Sequence, residues 1–344
     1  MKNKENQVGN EKELYREITQ NKRYTQQWKE YNEAQTKEKL MFYRLLEELL
    51  NVVPTRTYTF GRPRKSLRDM IFCCMIKIYS NTSARRTMSD LELAKRAGYI
   101  KEVHHFNTVL NYFDDSGMKM IIDYLITISA LPLKQVEEKF AVDSTGFGTQ
   151  RFDRWLDIKH RLKSPLGKYK KAHVLCGIKT NIIAALQITK GNVNDSTMFE
   201  PLMIQTAEHF NMKEVSADKA YSSRANLDLA NKIGALPFIP FKKNVTGKSR
   251  GSPTWAKMYK LFAENYLEFA EKYHKRSNVE TCFAMIKRKF GDSCRSKSDR
   301  CQNNEIRCKI LAHNLVVLIH EIFELKLEVD FNGIAKICPA QKVI

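Results

Sequence analysis

Long hydrophobic runs are missing from this 344-residue chain. No apolar stretch approaches the ~18 residues that span a bilayer, so no membrane partner is expected. The opening residues, MKNKENQVGNEKELYREITQNKRY, lack the apolar centre of a secretory signal, and a secreted product is not expected either. Close cysteine pairs are also missing. Eight cysteines stand at 73, 74, 176, 282, 294, 301, 308 and 338, none in a C-x-x-C spacing, which argues against a zinc cage. Cys294, Cys301 and Cys308 recur every seven residues, which suggests one side of a helix, and reduced thiols are expected. Acid is scarce relative to base: 38 Asp and Glu face 58 Lys and Arg, a formal net charge of +20. An excess of that size points to a polyanionic partner, nucleic acid above all.

What is present is a globular composition, 43% hydrophobic, in a chain long enough for two domains. Residues 1–50 read as polar, helix-forming sequence that ends in the amphipathic EKLMFYRLLEELL. Pro54 and Gly61-Arg62-Pro63-Arg64 break it. From Ser66, SLRDMIFCCMIKIYS has the apolar content of a buried helix. Ser89 or Asp90 can cap a short helix running to Ala97, Gly98 ends it, and a second helix spans about His104 to Phe113. That is the outline of a helix-turn-helix, although any helical bundle contains such a corner. A further helix covers roughly 116–130.

The pattern changes at Phe140. FAVDSTGFG reads as a strand, and YKKAHVLCGIKT with IIAALQITKG as a hairpin turning at Asn181. STMFEPLMIQTAEHF has helical spacing, EVSAD is a short strand, SRANLDLANKIG is a helix closed by Gly234, and LPFIPF is a strand. A basic linker, KKNVTGKSRGSP, leads to helical sequence from about 254 to 290 and a last apolar helix from about 303 to 327. Three strands in succession, then helix, strand, helix, strand and helix, imply an α/β layered domain.

Asp143 and Asp218 occupy matching positions, each after a short apolar strand (FAVD, VSAD). Strand ends are where α/β layers bind ligands. Two carboxylates brought together there need a cation, and hard divalent ions take oxygen donors. The competing reading is that each Asp caps the segment after it. In YHKRSNVETCFAMIKRKFG, residues 273–291, one acid sits among many bases. At about 100° per residue, Tyr273, Arg276, Glu280 and Lys287 share an arc of about 60° beside an apolar stripe of Val279, Phe283, Ile286 and Phe290. An i, i+4 salt bridge alone, worth about 0.3–0.5 kcal/mol, does not explain that alignment. A third metal ligand flanked by cations for phosphates does.

Tyr273-x2-Arg276-x3-Glu280-x6-Lys287 resembles the Tyr-Arg-Glu-Lys signature of bacterial and archaeal insertion-sequence transposases of the DDE class. AVDSTGF resembles their first-aspartate strand, YKKAHVLCGIKTNIIAALQITKGNVNDS the hairpin after it, and SADKAYSS their second-aspartate motif. The likeness covers about residues 139–322, and residues 61–113 more loosely resemble the helical N-terminal domain of these proteins.

The resemblance implies a ribonuclease H-like catalytic domain, a mixed sheet flanked by helices, over residues 140–327. An all-α DNA-binding domain precedes it at 1–139, and a tail follows at 328–344. It implies two Mg²⁺ or Mn²⁺ ions held by Asp143, Asp218 and Glu280. Cleavage at transposon ends and transfer of the 3′-hydroxyl into target DNA would follow, by a homodimer on DNA in the cytoplasm, associated with the nucleoid. Tyr273, Arg276 and Lys287 carry over as residues that position DNA ends. Lys171 and the linker bases Lys242, Lys243, Lys248 and Arg250 are further candidates for the DNA track. Asn107, Thr108 and Asn111 are candidates for base edges, with Arg62, Arg64, Lys65, Arg85 and Arg86 on the backbone. Asp195, in GNVNDS, reads as a cap for the next helix. Trp255 reads as a packed anchor or a stacking surface for a flipped base. Some relatives carry a large β-rich insertion before the Glu. Here the gap is basic and then helical, which leaves their hairpin-forming cleavage route open. The competing functions are a metal-dependent nuclease without strand transfer and an inactive protein that binds element ends.

Overall fold

The structure, a computed structural model, describes residues 27–54, 65–149 and 169–338. Its centre is a mixed sheet in the order β3-β2-β1-β4-β5. β1 (Lys139–Gly148), β2 (Tyr169–Gly177) and β3 (Ile183–Lys190) are antiparallel neighbours. β4 (Glu214–Ala217) and β5 (Leu236–Phe238) join parallel to β1. Parallel neighbours need crossovers, and helices α6 (Phe199–Ala207) and α7 (Arg224–Ile233) supply them. Ser223 caps α7 by accepting from the Asn226 N–H, and Gly234 ends it at φ 96°, a backbone state that favours glycine.

The β2–β3 turn is built on a buried acid. Glu137 accepts from the Thr180 hydroxyl at 2.7 Å and from the backbone N–H groups of Thr180 and Lys179. It presses so close to Gly177 that a Cβ there would meet it at 2.5 Å. Asn181 takes the turn at φ 64°.

Around the sheet lie α1 (Trp28–Leu50), α2 (Leu67–Tyr79), α3 (Thr87–Arg96), α4 (Phe106–Tyr112) and α5 (Met118–Ala130) from the first part of the chain. After β5 come α8 (Pro253–Glu264), α9 (Tyr266–Tyr273), α10 (Ser277–Phe290), α11 (Asp299–Glu324) and α12 (Phe331–Ile337). α11 is buried on every side from Asn304 to Ile319 and packs against α1, α2 and α5. It is therefore the shared core of the early helices and the sheet layer. Asn314 shows how: its side chain accepts from the Ile183 N–H at 3.0 Å and donates to the Ile183 carbonyl at 2.9 Å and the Ser129 hydroxyl at 3.0 Å. Each Leu or Ile buried there contributes about 1.5–3 kcal/mol.

Several local expectations need correction. α3 starts at Thr87, before the proposed caps, because Asp90 turns away to accept from the Ser80 hydroxyl at 2.8 Å. Of the three regularly spaced cysteines, only Cys301 and Cys308 lie on α11; Cys294 precedes it. The segment from Tyr273 to Lys287 is not one α-helix. A 3-10 turn, His274–Arg276, separates α9 from α10. Three residues at about 120° instead of about 100° rotate Tyr273 away from the later residues by about 60°. All eight cysteines are free.

Candidate active site

The two aspartates owe their positions to one mismatch in strand length. β4 pairs with β1 only as far as Val142 opposite Ala217. Asp143 and Asp218 are the next residue on each strand, and Asp218 is still extended at φ −65°, ψ 159°. Side chains alternate, so both carboxylates stand on the same side of the sheet, opposite to Val142 and Ala217. Asp143 does not end its strand, however. β1 continues against β2 to Gly148, with Asp143 opposite Val174. The site is where β1 loses one neighbour and keeps the other.

α10 reaches this side through its apolar stripe, Val279, Cys282, Phe283, Ile286 and Phe290, all buried. Its first turn is tied to the hairpin. The Asn278 amide donates to the Ile178 carbonyl at 2.6 Å, and Cys282 Sγ lies 3.3 Å from His313 Nε2, itself 2.9 Å from the Asn181 carbonyl oxygen. That anchoring fixes the turn that carries Glu280. Arg276, at the end of the 3-10 turn, donates from Nη1 to Asp143 Oδ2 at 2.5 Å and from Nη2 to Glu280 Oε1 at 2.6 Å. One guanidinium thus links two of the three carboxylates. The other Asp143 oxygen accepts from the Ser144 N–H at 2.8 Å.

Burial pushes the Asp143 carboxyl above its ordinary range, and the charges of Asp218 and Glu280 push it further. The Ser144 N–H and Arg276 oppose them. Arg276 and Asp143 are 18% and 20% exposed, whereas Glu280 is 59% exposed. Among the described residues, no three acid, imidazole or thiol side chains converge closely enough to share one ion in this arrangement. The donors are nonetheless all carboxylate oxygens around a position that already holds a cationic group, which suits a hard divalent ion.

The flanking residues separate into those near the acids and those apart. The Tyr273 ring centroid lies 6.0 Å from the Arg276 guanidinium carbon, and burial raises the Tyr273 pKa. Lys287 stands 5.8 Å from the Phe147 ring centroid, with its pKa lowered by burial. Phe147 is four residues along β1 from Asp143, or about 13 Å. Lys171 is held by Asp195 Oδ1 at 2.9 Å and the Val193 carbonyl at 3.1 Å. Asp195 is therefore not the helix cap: Asn194 is, accepting from the Ser196 N–H. Asp195 also faces His173 Nδ1 at 3.5 Å. The sequence did not single out His173, and it gave Tyr221, near the second aspartate, no nucleophilic role. The signal was the two-residue spacing of Lys171 and His173 along one strand face.

On α4, Asn107 and Asn111 are exposed and Thr108 half-buried, while Val109 and the following Phe113 anchor the helix. Arg85 stacks on Phe106 at 4.8 Å. Arg62 and Arg64 lie outside the described residues. Trp255 is a packed anchor: it is buried, donates from Nε1 to the Thr246 carbonyl and lies under the Arg224 guanidinium at 4.4 Å.

Residues 134–315, more than half of the chain, match the family described as Transposase DDE domain. The chain belongs to that family. As a DDE transposase-family protein it takes DNA transposition as its general role, DNA as its general partner and divalent metal as its general cofactor. Its mixed sheet flanked by helices is compatible with the family's catalytic domain. No described helix is long and apolar enough to cross a membrane.

Proposed function

We propose that the chain is the transposase of an insertion sequence, cutting at transposon ends and transferring the 3′-hydroxyl to target DNA. The observation that carries this reading is the placement of Asp143 and Asp218 one step beyond the last β1–β4 rung, with Glu280 joined to Asp143 through Arg276. The strand order β3-β2-β1-β4-β5 supports a ribonuclease H-like catalytic domain over 140–327. The helices of 1–139 would bind element ends, and the C-terminal segment, 328–344, carries α12.

Asp143, Asp218 and Glu280 are the ligands in this reading. Two divalent ions, Mg²⁺ or Mn²⁺, bound to them would activate the attacking oxygen and stabilise the leaving one. Carboxylates alone repel the charge that grows on the transferring phosphate, so their task is to hold cations, not to attack. Ser144 and Thr145 need no nucleophilic role. Arg276 exchanges its carboxylate partners for a DNA phosphate, and Tyr273 packs beside it. Lys287, near Phe147, contacts the backbone farther along the strand. The two ends meet in a homodimer on DNA, in the nucleoid-associated cytoplasm.

The test incubates purified protein with its own element ends, target DNA and Mg²⁺. Asp143→Ala, Asp218→Ala and Glu280→Ala should each bind ends and lose both nicking and joining. A variant that kept full strand transfer would remove that residue from the set. Nicking without joining by the parent protein would make it a nuclease.

A further inference from the structure

A second group of polar side chains lies behind the aspartate pair. His173 is paired opposite Ser144, so it and Lys171 stand on the sheet face that does not carry Asp143. The 3-10 turn Asp195–Met198 brings Asp195 against both, 2.9 Å from Lys171 Nζ and 3.5 Å from His173 Nδ1. His173 Nε2 lies 2.8 Å from Thr189 Oγ1, while its Nδ1 is buried without a hydrogen bond.

Tyr221 links this group to the aspartates. It ends the turn that begins at Asp218, donating its backbone N–H to the Asp218 carbonyl at 2.9 Å. Asn226 ties that turn to the Asp195 turn, donating to the Tyr221 carbonyl at 2.8 Å and the Ser196 hydroxyl at 3.1 Å. The Tyr221 ring is 1% exposed and packs on Phe199 at 6.0 Å between centroids. Burial and then the charges of Asp143, Asp195 and Asp218 keep its hydroxyl protonated. Yet among the described residues that hydroxyl has no hydrogen-bond partner.

A buried donor without an acceptor is destabilising, and phenylalanine would fill the same space without it. Among the described residues the Asp218 carboxylate caps no helix and takes no hydrogen bond. A donor lacking an acceptor and an acceptor lacking a donor thus share one turn.

We infer that Tyr221 is a positioning residue of the candidate active site. Its hydroxyl, backed by Lys171, Asp195 and His173, orients the Asp218 carboxylate when the site is loaded. The inference rests on the reading of Asp143, Asp218 and Glu280 as the metal-binding carboxylates. A carboxylate that gives one oxygen to a cation is held by hydrogen bonds at the other. Asp143 has such donors in the Ser144 N–H and Arg276; Asp218 shares a backbone turn with Tyr221.

The test compares full-length Tyr221→Phe, Asp195→Asn and Asp218→Ala with the parent. Thermal unfolding is measured without metal. Mn²⁺ binding to the protein on its DNA end is followed by electron paramagnetic resonance, and nicking is titrated with Mn²⁺. Tyr221→Phe should unfold at the same temperature or higher. It should nevertheless need about tenfold more Mn²⁺ both to bind and to nick, with end binding unchanged. Asp195→Asn should move both Mn²⁺ readouts in the same direction. Parent-like Mn²⁺ binding and nicking in Tyr221→Phe overturns the inference. Parent-like nicking in Asp218→Ala overturns the reading of the site instead, whatever Tyr221→Phe does.

Discussion

Arg276 holds Asp143 and Glu280 at 2.5 and 2.6 Å, and both contacts are charge-assisted. The pair with Asp143 is mostly shielded from water, so desolvation offsets much of its Coulombic gain, and burial still holds the Asp143 carboxyl above its ordinary range. On the proposed reading, a divalent ion and this guanidinium compete for the same oxygens. Arg276→Ala should therefore bind Mn²⁺ more tightly than the parent in the absence of DNA, by about tenfold, or ~1.4 kcal/mol. The same variant should nick its element end more slowly, because the phosphate contact is lost. Calorimetric titration of the free protein checks the first half; an unchanged affinity would mean that the guanidinium and the ion do not compete. The Arg276–Glu280 pair was legible from i, i+4 spacing. The Arg276–Asp143 contact was not, because it joins residues 133 positions apart.

At the scale of elements, α4 is the clearest candidate for reading bases. Val109 and Phe113 fix it, and Asn304 of α11 donates to the Phe113 carbonyl at 2.8 Å. Asn107 and Asn111 remain on the open side. Asn107→Ala and Asn111→Ala should each weaken binding to element ends by about 1–3 kcal/mol, with preserved thermal stability. Footprinting with the full chain checks this, and parent-like protection by both variants would move recognition elsewhere. Most helices were legible because their apolar residues recur at helical spacing and their ends carry Ser66, Ser223, Gly98 or Gly234. The place of Asp143 inside β1, not at its end, was not. It depends on β4 ceasing to pair with β1 after Val142 while β2 pairs on to Gly148, which local composition does not encode.

The +20 charge acts over the whole molecule. Two of the candidate cations are already engaged, Lys171 with Asp195 and Arg276 with two acids. The loop before α8 is different. Lys242, Lys243, Lys248 and Arg250 are exposed there, and the loop is pinned by Arg224, which donates to the Ser249 and Lys248 carbonyls. If this loop follows the DNA backbone, replacing Lys242 and Lys243 together should lower the salt dependence of binding. The slope of log K against log salt should change by about 2, with little change in sequence preference. A parent-like slope would exclude the loop from the DNA path.

Periodicity, turn residues and charge determined the order of most helices and strands and singled out the three acids, while the quoted motifs carried the family resemblance. Those features live in short segments, where periodicity and turn residues suffice. Only the tertiary structure decided that Asp143 and Asp218 stand on one face beyond the end of β4, and that Arg276 lies between Asp143 and Glu280. It also decided that Asp195 serves Lys171 rather than a helix, and that Tyr221 is buried with a free hydroxyl between the two groups. Each depends on strand register or on a crossover packing against the sheet. A one-residue slip in either would send the same side chains to the opposite face.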